Sequence, residues 1–215
     1  MTDYFGAEWT EKELHRCDVI AVDLLAHYPA ATTMTVTSAG VGRLAAPIAA
    51  VAGGRMIEIG CHAGFLAERL MQSCETYCGV DVSPVMVQLC RGRFREWSHV
   101  HFAHSIADAQ RLQDTEGSWD VAFGHDFFIH LRRPERAQVF AGLRRLLAPG
   151  GRLVVDYWPA EESDEEPPAR VIGWMAYKAR PEDIAAQIEA AGFRVLGDAE
   201  TVPGVRHYVT AEKVG

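Results

Sequence analysis

The chain has no run of about 18 apolar residues, so no segment is long enough to cross a membrane as a helix. Its opening residues, MTDYFGAEWTEKELHRC, lack the basic start and apolar stretch of a secretory signal, and the expected location is cytoplasmic. Positive charge is in deficit. Lys and Arg total 21 against 29 Asp and Glu, and a net charge of −8 disfavours broad binding to nucleic-acid phosphates or anionic lipid. Cysteine is sparse: Cys17, Cys61, Cys74, Cys78 and Cys90 are odd in number and contain no CxxC pair. Neither a disulfide framework nor a zinc cage is expected, and no metal site is assigned. No internal repeat is visible, and the one biased segment, EESDEEPP at 161–168, reads as a loop.

What is present is an ordinary globular composition, with 48% hydrophobic and 23% charged residues over 215 positions. That length suits one well-buried core, so a single domain spanning 1–215 is expected. From residue 56 to about 213 short apolar runs alternate with helical patterns, as in parallel strands joined by crossover helices. MIEIG, YCGVDV, VHFAHS, WDVAFG and RLVVDYW read as five strands. FLAERLMQSC, VMVQLCRGRFREW after Ser83-Pro84, PERAQVFAGLRRLLA stopped by Pro149-Gly150-Gly151, and PEDIAAQIEAAG read as helices. FRVLGDAET and VRHYVTAEK, joined through Pro203-Gly204, read as an antiparallel return. The fold class is α/β: a Rossmann-like, mixed sheet of seven strands, mostly parallel with an antiparallel last strand and helices on both faces. Residues 1–50, with a helical stretch near 10–27, are expected to form an N-terminal helical cap.

The first strand ends in Glu58-Ile59-Gly60-Cys61-His62-Ala63-Gly64. Two glycines there let the backbone turn tightly, and the helix that follows offers unpaired N–H groups. A dinucleotide site would need GxGxxG, which is missing, so an NAD-dependent oxidoreductase is disfavoured. Asp81 follows Glu58 by 23 positions, at the end of the second strand, where an acid can take both hydroxyls of a ribose. The ligand is of adenosine type.

These residues resemble the class I S-adenosylmethionine-dependent methyltransferases, over residues 56 to about 213. Residues 58–64 resemble the family's E/D-x-G-x-G-x-G turn with His62 in place of the middle glycine; GVDVSPVM, WDVAFGHDFFIHL and LLAPGGRLVV resemble its second, fourth and fifth strand regions, in order. The resemblance implies S-adenosylmethionine as cofactor and S-adenosylhomocysteine as its product. It places Glu58, Gly60, Cys61, His62 and Gly64 at the cofactor's amino-acid end, Asp81 at the ribose, Val82 and Met86 at the adenine faces, and Ser105, Ile106 and Ala107 after the third strand near the adenine amine. There the family's usual G-D-A wording is altered to S-I-A. Gly124 leaves the fourth strand beside the cofactor. His62 is either a tolerated variant or a contact to the cofactor carboxylate.

Substrate is implied near Gly124-His125-Asp126 and Tyr157-Trp158. His125 is the candidate base or substrate ligand, because imidazole titrates near neutral pH. His130, five residues on, is a second candidate that otherwise bonds locally. Asp126 caps the next segment or orients a nucleophile. His101, His104 and His207 earn no role. Tyr4, Phe5 and Trp9 form an aromatic lid or pack the cap against the body, and the acidic run either steers a cationic substrate or is a solvated loop. The implied activity is methyl transfer to an oxygen or nitrogen of a small molecule. The competing expectation is a regulatory or assembly protein that binds the cofactor without catalysis. No membrane or nucleic-acid partner is expected, and nothing in the composition bears on oligomeric state.

Overall fold

The computed structural model describes residues 2–3, 7–8, 46–113, 117–161, 169–171 and 174–215. The expected cap helix near 10–27, the aromatics Tyr4, Phe5 and Trp9, and the acidic positions 162–166 lie outside the described residues. Of the first fifty residues, one helical turn, Ala46–Ala49, is packed into the core through Ile48.

Seven strands build the central sheet: β1 (Arg55–Ile59), β2 (Thr76–Val80), β3 (Val100–Ala103), β4 (Trp119–Gly124), β5 (Leu147–Pro159), β6 (Phe193–Val202) and β7 (Arg206–Lys213). They lie in the order β6-β7-β5-β4-β1-β2-β3, and a two-residue strand, Lys178–Ala179, adds an eighth member beside the end of β5. Pairs from β3 to β5 are parallel, whereas β7 runs antiparallel to both β5 and β6. The sheet is therefore mixed and mostly parallel, as its residue pattern indicates, with one short strand more than the seven expected.

The helices are α1 (Phe65–Leu70), α2 (Pro84–Arg93), α3 (Ile106–Gln113), α4 (Arg133–Leu146) and α5 (Pro181–Ala190). α1 is shorter than its apolar spacing suggests, passing at Met71–Ser73 into a 3-10 turn. α3 is not among the helices the sequence pattern indicates, although it buries Ile106 and Ala109 one turn apart. α4 ends at Leu146, where Leu147 turns extended, so the helix stops before Pro149-Gly150-Gly151 is reached. Pairing of β4 to β5 jumps from Trp119↔Leu147 to Val121↔Arg152, which leaves that segment bulged out of the ladder.

Strand alternation sorts the core into two layers. Ile57, Ile59, Ala122, Leu153 and Val155 face α4 and α5 residues such as Phe140, Leu143 and Ile184. Met56, Tyr77, Val121, Phe123 and Val154 face Leu66, Val87 and Cys90 of α1 and α2. Both faces are covered, as parallel strands require. No helix among the described residues is long and apolar enough to cross a membrane.

Gly79 in β2 shows how tight the second layer is. A Cβ there would lie 2.7 Å from the Phe102 ring and 2.9 Å from the Cys61 Cβ. Gly79→Ala should cost about 1–3 kcal/mol by overpacking. Gly92→Ala, where a Cβ meets open space in α2, should be neutral or stabilising by up to about 1 kcal/mol. Urea unfolding with unchanged m-values checks both.

Candidate active site

The strand order reverses between β1 and β4, and the crevice of such a sheet opens outside the carboxyl ends of its strands at that point. Two groups of residues meet there. One is the turn after β1 with Asp81; the other joins the ends of β4 and β5 to the start of β7.

In the first group, Gly60 N–H and Cys61 N–H both donate to the Val80 carbonyl, at 2.8 and 3.1 Å. Gly60, His62 and Gly64 take left-handed φ angles of 75°, 48° and 77°. His62 thus sits where the backbone favours glycine, a conformation that costs most side chains about 1 kcal/mol or more. Its ring stacks on Phe65 at 5.8 Å, and burial pushes its pKa down to about 4, so it is neutral at physiological pH. The Cys90 thiol donates to the His62 carbonyl at 3.2 Å, and the Arg93 guanidinium donates to that of Ala63. Cys61 is buried, and burial raises its thiol well above the ordinary range.

Asp81 is 8% exposed and does not project into bulk water. Its Oδ2 accepts the His62 N–H at 2.8 Å and its Oδ1 the Ser83 N–H at 2.9 Å. The Ser83 hydroxyl accepts the Met86 N–H at 3.3 Å, capping α2 as the Ser-Pro pair indicates. Val82 and Met86 are buried beside it. Glu58, 3% exposed, accepts a hydrogen bond from the Tyr77 hydroxyl. Burial raises its pKa to about 8, opposed by the Tyr77 bond and reinforced by the charge of Asp81. Ser105 caps α3, its Oγ accepting the Asp108 N–H at 3.1 Å; Ile106 is buried in the core and Ala107 is exposed.

In the second group, Gly124 abuts β1: a Cβ there would lie 3.1 Å from the Ile59 carbonyl. The His125 Nδ1 is hydrogen-bonded to the Tyr208 hydroxyl, and its Nε2 lies 3.5 Å from Asp126 Oδ2. A proton placed on Nε2 faces that carboxylate, which can only accept, and leaves Nδ1 to accept from Tyr208. Burial lowers the imidazole pKa to about 4, with Asp126 opposing and Arg206 assisting. Asp126 is not a helix cap. Its φ is 56°, its N–H donates to Asp156 Oδ2 at 2.9 Å, and Arg206 pairs with its carboxylate and, at 2.8 Å, with that of Asp156. His130 lies in the 3-10 turn Phe128–His130, half-buried, its N–H on the Phe127 carbonyl at 3.0 Å. Tyr157 points to the β6 side, its hydroxyl donating to Asp198.

The two groups touch through Phe127, whose ring would lie 2.9 Å from a Cβ placed on Gly60. Three members of the second group, Asp156, Arg206 and Tyr208, are not among the residues to which the sequence pattern points. An acid inside the apolar run LVVDYW was the available signal for Asp156; Arg206 and Tyr208 come from a strand about 80 residues away, and only the antiparallel return brings them in.

With this geometry in view, the sequence pattern of the methyltransferase domain family matches residues 57–153. The match and the fold together support a class I methyltransferase domain. Over 106 residues it is 32% identical to Methyltransferase GfsG of Streptomyces halstedii, covering 48% of this chain and 37% of that protein. The chain spans less than half the length of the curated relatives it matches. In fold, the domain is similar to the DhpI–SAH complex structure (TM-score 0.69, 16% identity, 95% of this chain and 96% of that one). It is also similar to 1,6-didemethyltoxoflavin-N1-methyltransferase of Burkholderia thailandensis, solved with 1,6-didemethyltoxoflavin and S-adenosylhomocysteine (TM-score 0.64, 18% identity, 97% and 93%).

The buried Glu58 gives the domain a pH signature. The folded state holds a proton up to about pH 8 that the unfolded chain loses near 4.5, so stability falls as pH rises through that window. Glu58→Gln keeps an acceptor for Tyr77 and removes the titration. Its stability relative to wild type should rise by at least about 1 kcal/mol between about pH 5 and pH 8. Parallel denaturation profiles at the two pH values would show that Glu58 does not titrate there.

Proposed function

We propose that the protein transfers a methyl group from S-adenosylmethionine to a nitrogen or oxygen of a small molecule. The observation that carries this reading is the pairing of a glycine-type turn after β1 with a buried acid at the end of β2, tied together through Asp81 and His62. The residues fit the cofactor. Gly60 and Gly64 leave the turn without side chains at two positions, Asp81 suits a ribose diol, and Val82 and Met86 are apolar walls suited to a purine. Glu58 and the 60–64 backbone would hold the amino-acid end, and the 105–107 segment would lie toward the adenine.

When bound, S-adenosylmethionine supplies a methyl group already activated by its sulfonium. What remains for the chain is to bind, to align the acceptor's lone pair with the transferring bond, and to shield both from water. The ends of β4 and β5 are where the acceptor would sit. His125 is neutral at physiological pH, yet its accepting nitrogen is occupied by Tyr208 and its Nε2–H faces Asp126. It would have to break the Tyr208 bond to act as a base, which favours a role in positioning and an acceptor, such as a neutral amine, that needs no strong base.

A binding-only protein is the competing reading, and one observation favours it: His62 stands with a left-handed φ where the family's pattern has glycine. Methyl transfer from labelled S-adenosylmethionine into a metabolite extract separates the two, since only a transferase labels a product. Calorimetry with S-adenosylhomocysteine should show one site, weakened at least about tenfold by Asp81→Ala through loss of charge-assisted hydrogen bonds. No affinity in the wild-type protein overturns both readings.

His125→Ala should lower kcat less than about tenfold in the labelled-transfer assay, whereas a fall beyond about 100-fold at unchanged KM would assign it the base role.

A further inference from the structure

We propose that Asp126 anchors a positively charged nitrogen of the methyl acceptor, which makes the substrate class a small amine-bearing molecule; this rests on the methyltransferase reading above. Asp126 follows the exit of β4 and precedes Phe127, the residue that touches the glycine turn, so it stands where an acceptor meets the cofactor side of the crevice. Its side chain is 46% exposed. One oxygen, Oδ1, is taken by Arg206; the other, Oδ2, faces His125 Nε2 at 3.5 Å, too far for a good hydrogen bond.

The charges around it favour a cation. Asp126 and Asp156 are two carboxylates served by one guanidinium and by an imidazole whose burial keeps it neutral. Arg206 is 9% exposed and each of its terminal nitrogens already bonds one of the two acids, so its charge is turned inward. A second observation points the same way: Asp156 is fully buried, and its Oδ1 has no hydrogen-bond partner among the described residues. Burial raises Asp156 to about 7 and removes part of its charge, so the acceptor the cluster offers to a ligand is the half-exposed carboxylate of Asp126. An ammonium supplies the close donor that Asp126 Oδ2 lacks, in a charge-assisted bond to a partly shielded carboxylate. The backbone of Asp126 is held left-handed by its N–H bond to Asp156, so the carboxylate is presented in one orientation.

The test uses the full chain saturated with S-adenosylhomocysteine, titrated with a panel of small aliphatic and aromatic amines, their isosteric alcohols and their isosteric carboxylates. Asp126→Asn and Asp126→Gly both tolerate a left-handed φ and remove the charge. The wild-type protein should bind its best amines at least about tenfold more tightly than the matching alcohols, and both variants should lose that preference while binding S-adenosylhomocysteine as before. Equal binding of amines and alcohols, absence of amine binding, or a preference that survives in both variants overturns the proposal. Failure to bind S-adenosylhomocysteine in the same samples would instead bring down the methyltransferase reading beneath it.

Discussion

The carboxylate of Asp81 ties the turn after β1 to the start of α2. The turn after β1 must hold three left-handed residues in five positions, and one of them is a histidine with a Cβ. Bonds from His62 N–H to one Asp81 oxygen and from Ser83 N–H to the other pin that turn against the start of α2. The turn also leans on Val80 through two N–H bonds, and on α2 through Cys90 and Arg93. A conformation that costs about 1 kcal/mol at His62 persists because several independent contacts over-determine it.

The second half of the crevice is held differently, by charge in place of backbone geometry. Burying a carboxylate such as Asp156 is expensive unless it is paired. Arg206 pairs both Asp156 and Asp126, and burial still raises Asp156 above the usual carboxylate range. The antiparallel β7 is what makes this possible. A further parallel strand would present its carboxyl end here; β7 instead brings its first residues, Arg206 and Tyr208, beside Asp156 and His125. The reversal in strand direction therefore has a chemical consequence at the site.

Most of the sheet was legible because each strand of a parallel core is apolar on both faces and bounded by turn residues. MIEIG, WDVAFG and RLVVDYW declare themselves by composition alone. The glycine turn and Asp81 were legible because their spacing is local to one βαβ unit. The pairing of Asp156 with Arg206 was not, since the two lie 50 residues apart and no periodicity marks the register of a hairpin against a distant strand. The same limit explains Asp126. In sequence it precedes a short helical turn and reads as a cap; in space its left-handed backbone and the proximity of Arg206 give it a different set of partners. Helix length failed for a local reason, because Leu147 turns extended before the glycines arrive.

Rigidity is distributed to match these two tasks. A cofactor common to many reactions is best met by backbone, whose geometry a side-chain change elsewhere leaves intact, and the turn after β1 is backbone held at both ends. An acceptor specific to one reaction is best met by side chains, which a few substitutions can replace without disturbing the strands that carry them. Phe127 is the joint between the two, packed on Gly60 and adjacent to Asp126. Any enlargement at Gly60 would push on that ring, and through it on the adjacent Asp126. Glycine at position 60 is therefore required twice over, by its φ of 75° and by the closeness of an aromatic side chain whose position sets the distance between the two halves of the site.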